Sequence, residues 1–163
     1  MKYTPSHGFL YYFTLIKEKD LQTLYNAMST FDFIKSIPEE KAGHRYEPDK
    51  WSIKQIIGHI TDHERIKMFR AFQLSRNEDV ELWGYNQNFL VNQSRFDDLK
   101  IKLLIDDFQN VRKASISFIR TLSAHQLKKK GWAREHEITL KDFLISIIGH
   151  ERHHINIIKE KYL

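Results

Sequence analysis

Five consecutive residues, His150-Glu151-Arg152-His153-His154, spell H-E-x-x-H, a pattern in which two imidazoles one helical turn apart hold zinc beside a glutamate base. A second pair at the same spacing, His59 and His63, lies in "GHITDHER". Residues four apart on a helix share a face, so each pair offers two adjacent corners of a metal's coordination shell. The chain has no cysteine, which excludes thiolate zinc sites, disulfides and a cysteine nucleophile. His, Asp and Glu are the strong ligands that remain.

The motif by itself would suggest a zinc protease, but its context does not support one. A zincin takes its third ligand from downstream, whereas only "INIIKEKYL" follows His154, with Glu160 on the same helix. Zincins also lay their peptide on a sheet edge, and no convincing strand is read here. Glu151 is therefore taken as chance or as a surface residue. Glu151 to His154 also matches E-x-x-H, which di-iron bundles use twice together with two further glutamates. No E-x-x-H stands at the matching level of the helix carrying His59, so a mononuclear site of three histidines fits better.

The elements that must position these residues are helices. Three prolines and six glycines punctuate segments whose apolar residues recur at helical spacing. A first helix is expected from about Asp20 to Ser36, with a shorter helical piece before it, and Pro38 stops it. A second runs from a capping box at Ser52 and Gln55 to about Ser75, a third from about Asp98 to Leu122, and a fourth from about Leu140, capped by Thr139, to Lys161. The predicted architecture is an all-α four-helix bundle forming a single domain over residues 1–163. The connection over residues 76–96 is far longer than the usual link between antiparallel neighbours. It is long enough to span a bundle and let helices two and three run parallel.

On a helix advancing about 100° per residue, His150 and His154 fall at roughly −20° and +20° from Phe143. Both enter the apolar stripe, while His153 falls near −80°, at its edge. If helices two and four are antiparallel, the pairs meet: His59 lies about 10 Å past the Ser52 cap and His154 about 13 Å before the last residue, at about 1.5 Å per residue. Three or four imidazoles converging inside a bundle are costly to desolvate without a cation to pair with them.

Composition bounds the partners. The net charge of +5 comes from 26 basic and 21 acidic residues that are interleaved, with one tight run at Lys128-Lys129-Lys130. That is the pattern of solvated helix faces, and nucleic-acid binding is not expected. The run "FLYYFTL" is short and lacks a basic flank and a cleavage site, so a cytoplasmic protein without a membrane span is expected.

Three stretches together resemble the DinB/YfiT-like family of small metal-binding bundles. They are "RYEPDKWSIKQIIGHITDHERIKMFRA", which is similar to the family's W-S-x-x-x-x-x-x-H-x-x-D-x-E-R pattern, "WGYNQN" in the crossover, and the final "GHERHHINIIKEKYL". The resemblance spans about Arg45 to Leu163. It implies an up-down-down-up bundle and one divalent ion, most commonly nickel or zinc, with manganese, iron or cobalt as alternatives. By position, the ligands it implies are His59, His150 and His154. His63 stands where the family uses no ligand, as a supporting, substrate-facing or core residue. Asp62 is expected either to orient a ligand imidazole or to pair with Arg65 or Lys67.

The resemblance further implies an enzyme with a small-molecule substrate, and often a homodimer. A thiol S-transferase using a low-molecular-weight thiol is the leading expectation; a metal-dependent hydrolase or a non-catalytic metal-binding protein is the alternative. Without cysteine, any thiol must arrive as cosubstrate. Candidates for the pocket rim are His44, Tyr46 and Trp51, for its wall Trp83, Tyr85, Asn86 and Gln87, and for an anion contact Arg70; the alternatives are Trp51 as a core plug at the start of helix two and Arg70 as a structural residue.

Overall fold

The structure is a computed structural model and describes residues 3–77, 80–82 and 84–163. Its elements begin with α1 (Phe9–Thr14), α2 (Leu21–Asn26), α3 (Ser29–Lys35), α4 (Glu39–Ala42) and α5 (Ile53–Arg76). They continue through α6 (Gln87–Asn92), α7 (Ile101–Arg120), α8 (Ala124–Leu127), strands β1 (Lys130–Ala133) and β2 (His136–Thr139), and α9 (Leu140–Ile157). α9 ends in a wider π turn over Ile158–Tyr162.

Each long helix starts where its cap dictates. Ser52 Oγ accepts from the Gln55 N–H while the Gln55 side chain accepts from the Ser52 N–H, both at 3.0 Å, so two orphan donors of the first turn are satisfied. Thr139 Oγ1 accepts from the Asp142 N–H at 3.1 Å to open α9. α7 begins at Ile101 rather than Asp98, because Phe96–Asp98 closes a separate 3-10 turn and the Ile101 N–H is taken by Glu39 at 2.9 Å.

Cross-contacts fix the directions. Along α5 and α7, Arg65 meets Asp107, Glu64 meets Arg112 and Phe72 meets Phe118, so both numbers rise together and the helices run parallel. Between α5 and α9 the order reverses, with His59 beside His154, His63 beside His150 and Lys67 beside Phe143. Tyr25 reaches Leu144 and Thr30 reaches Glu151, which sets α2 and α3 parallel to α9. The bundle is therefore up-down-down-up.

Two expectations change. The first bundle helix breaks at Ala27, whose ψ of 130° is extended, and restarts as α3. The break divides the stripe: Leu21, Leu24 and Tyr25 pack in one apolar cluster with Leu74, Leu140 and Leu144. Phe31 and Ile34 enter a second cluster with Ile57, Ile60 and Phe108. Met28 at the joint stays half exposed, at 50%. The second change is an antiparallel hairpin of β1 and β2, turning through Arg134 at φ 58°. Four-residue strands with one buried position each are too short to display a period of two. Gly131 in β1 is a close-approach position, since a Cβ there would lie 2.9 Å from the Val80 carbonyl oxygen. The hairpin is thereby seated against the crossover.

Candidate metal centre

His59, two turns into α5, and His150 and His154, on the inward face of α9, converge so that one ring nitrogen from each lies within 4.8 Å of the others. Nε2 of His59 and Nε2 of His150 are 3.0 Å apart. Two nitrogens bound about 2.1 Å from one tetrahedral ion would stand roughly 3.4 Å apart, so the pair is nearly at ligand spacing. His59 and His150 are buried, at 1% and 3% exposure, and His154 is the most accessible of the three. Burial pushes the His59 pKa down to about 4 and holds those of His150 and His154 well below the ordinary imidazole value. The donors are thus neutral at pH 7, as metal ligands must be. Nδ1 of His150 is buried with no hydrogen-bond partner. That nitrogen is on the far side of the ring from the Nε2 pair; it is the three neutral imidazoles desolvated together that fit a bound cation better than a packed core.

Aromatic side chains enclose the cluster. Trp51, immediately before the cap of α5, lies with its ring 4.8 Å from that of His59 and stacks at 6.2 Å on His154. Tyr12 of α1 meets His150 edge-on at 5.1 Å. Gly149 allows that approach, because any Cβ at 149 would overlap the Tyr12 carbonyl. His63 stacks on His150 with ring centroids 3.5 Å apart, and its Nδ1 pairs with the Tyr85 hydroxyl at 2.8 Å.

The remaining candidates divide. Asp62 is held by Arg65 at 3.3 Å and turns to the α7 side, so the salt-bridge alternative is realised and no ligand imidazole is oriented by it. Arg70 donates to Gln73 at 3.2 Å and lies over the Phe69 ring, away from the histidines. His44 and Tyr46 pack on Tyr162 instead of forming a rim. Asn86 caps α6 by accepting from the Phe89 N–H, Gln87 is exposed, and Trp83 lies outside the described residues.

Glu151 is neither chance nor surface. It is 5% exposed and is held by Arg112 and by the Thr30 hydroxyl. Arg112 also grips Glu64 through two bonds at 2.9 and 3.0 Å, and its guanidinium lies 5.3 Å from the Tyr25 and Phe108 rings and 5.5 Å from that of Phe31. This buried triad joins α5, α7 and α9, and Thr30 ties α3 to it. Its signal in sequence was weak: an acid and a base inside otherwise apolar stripes. Tyr12 also went unread, and Lys67 was read only as a possible partner of Asp62, a place Arg65 takes, because contacts made across the bundle have no local spacing.

The sequence model of the DinB superfamily matches residues 22–158. The chain belongs to the DinB superfamily. Among solved structures, this DinB chain is similar to YfiT from Bacillus subtilis, described as "a probable metal-dependent hydrolase with an unusual four-helix bundle topology". The two share 15% identity at a TM-score of 0.72, with 98% of this chain and 89% of YfiT covered. That likeness is one of fold, and it includes the same bundle topology. Among curated proteins none matches this DinB chain.

Proposed function

We propose that the chain is a metal-dependent enzyme transferring a low-molecular-weight thiol to a small electrophile, with one divalent ion, nickel or zinc, on His59, His150 and His154. The observation that carries this reading is the convergence of three neutral, buried imidazoles from two antiparallel helices. A divalent ion held on three neutral ligands supplies Lewis-acid activation of a thiol or a water near neutral pH. The protein's own groups do the rest. Trp51, Tyr12 and Tyr85 keep bulk water from the cluster. His63, neutral because burial pushes its pKa well down, can donate its Nδ1–H to the Tyr85 oxygen and present the Nε2 lone pair to an adjoining cavity. In the transfer, a C–S bond forms as the bond to the leaving group breaks, while the thiol proton passes to His63 Nε2 and on to the leaving group. Hydrolysis is the second reading, favoured by the description of YfiT; water then replaces the thiol.

The test is metal content and spectrum on protein free of a histidine tag. About one divalent ion per chain is expected in the wild type, lost in His59→Ala and retained in His63→Gln. A cobalt-loaded wild type should change its visible spectrum on adding 2-mercaptoethanol. No bound metal after reconstitution would overturn the catalytic reading; a spectrum blind to thiols would leave hydrolysis in its place.

A further inference from the structure

A second feature adjoins the histidine cluster. A cavity of about 130 Å³ opens between the N-terminal segment, α5 and the hairpin, lined on one side by His63 and Tyr12. Both of these side chains touch His150, at ring distances of 3.5 and 5.1 Å, so one layer of side chains separates the cavity from the proposed ligands. Lys67, Arg134, His7 and His136 also line it, and no Asp or Glu among the described residues does.

Lys67 is the telling residue. It follows His63 by one turn on the same face of α5, about 6 Å along the axis, and helical side chains lean toward the N-terminus, which brings its ammonium back toward His63. Nζ lies 5.8 Å from the Tyr85 and Phe143 rings, near the outer limit for a cation–π contact. No carboxylate or carbonyl of a described residue accepts from it. Burial first, and then the neighbouring Arg70 and Arg134, push its pKa down to about 8. A half-buried ammonium usually recovers its lost hydration from an acid; among the described residues none lines the space in front of it. Arg134 is carried over the same cavity by the hairpin turn, and among the described residues its hydrogen-bond partner is the neutral Ser6 carbonyl at 3.1 Å.

We propose that this cavity is an oxyanion subsite, in which Lys67 principally and Arg134 secondarily hold a carboxylate or phosphate on the small molecule whose other end lies against His63, in the layer that covers the histidine cluster. The proposal rests on the reading of that cluster as the reacting centre. It adds the substrate class: a short anionic molecule with its charge about one helical turn from the group that reacts.

Two arms test it. The first uses metal-free protein and chemical-shift titration with sodium acetate and with sodium phosphate, at ionic strength held constant with chloride. Wild type should saturate with at least one anion, with shifts centred on Lys67, Arg134 and His63; which anion saturates distinguishes the two oxyanions. Binding should weaken about tenfold or more in Lys67→Met and less in Arg134→Gln, as loss of a charge-assisted contact requires. No saturable shift with either anion, or equal binding in Lys67→Met, would overturn the subsite. The second arm uses cobalt-loaded protein and compares 3-mercaptopropionate with 2-mercaptoethanol. A preference for the carboxylated thiol that vanishes in Lys67→Met supports the subsite, and equal affinity of the wild type for both thiols counts against it. If the cobalt spectrum ignores both thiols, thiol transfer fails and the metal-free arm still decides the subsite.

Discussion

At the scale of single residues, Glu151 shows how a motif can mislead. Adjacent positions on a helix differ by about 100°, so when His150 faces α5 the carboxylate at 151 faces the neighbouring side, toward Arg112 and Thr30. Its work is electrostatic. A guanidinium shared by two carboxylates and resting on three rings is stable only as a complete set, because removing one partner leaves a buried charge unmatched. Arg112→Met should therefore lower unfolding free energy by about 3–5 kcal/mol in urea titration. Glu151→Gln, which can still accept from Thr30 and Arg112, should cost less and leave the metal stoichiometry unchanged. Loss of the ion in Glu151→Gln at undiminished stability would mean that Glu151 serves the centre after all.

At the scale of elements, α1 is the short piece that closes the site. Six residues cannot hold a helix alone, and α1 exists by lying on α9, where Gly149 lets the Tyr12 carbonyl approach and Tyr11 contacts His153 at 3.2 Å. Gly149→Ala, although it raises helix propensity, should destabilise by about 1–3 kcal/mol through overpacking. It should also raise hydrogen exchange over residues 9–14 while α5 and α7 stay protected. A variant as stable as wild type, with α1 still protected, would show that the close approach is not what seats Tyr12 against His150. The hairpin plays a parallel part, since it brings Arg134 to a cavity otherwise made by helices.

At the scale of the whole molecule, the outer face shared by α5 and α7 leaves large apolar side chains exposed. Phe69 and Phe72 are 55% and 44% exposed, and Leu103 is 54% exposed; beside them Met68, Val111, Ala114 and Phe118 line a shallow groove. We propose that two chains pair there, with the Arg65–Asp107 ion pair at the rim. Sedimentation should give a dimer, and Phe69→Glu with Phe72→Glu should give a folded monomer that keeps its metal. A wild type that sediments as a monomer at high concentration would remove this face from consideration. No helix among the described residues is long and apolar enough to cross a membrane.

The sequence by itself determined what is local or periodic. The caps at Ser52 and Thr139, the histidine pairs four residues apart and the apolar stripes that bury them follow from the geometry of one helix. The length of the crossover was enough to allow α5 and α7 to run parallel, and Trp51 could be placed at the head of α5, though its contact with His59 could not. The tertiary structure alone decided which side chains meet across the bundle. Arg112 between two glutamates, Tyr12 on His150, Tyr85 on His63 and Lys67 facing a cavity in which no described residue is an acid are pairings between residues distant along the chain. The break at Ala27 and the four-residue strands likewise depend on packing more than on propensity: the two apolar clusters need the stripe re-aimed, and the hairpin needs Gly131 against Val80. Spacing along a helix specifies direction around one axis, whereas a site is made where several axes converge.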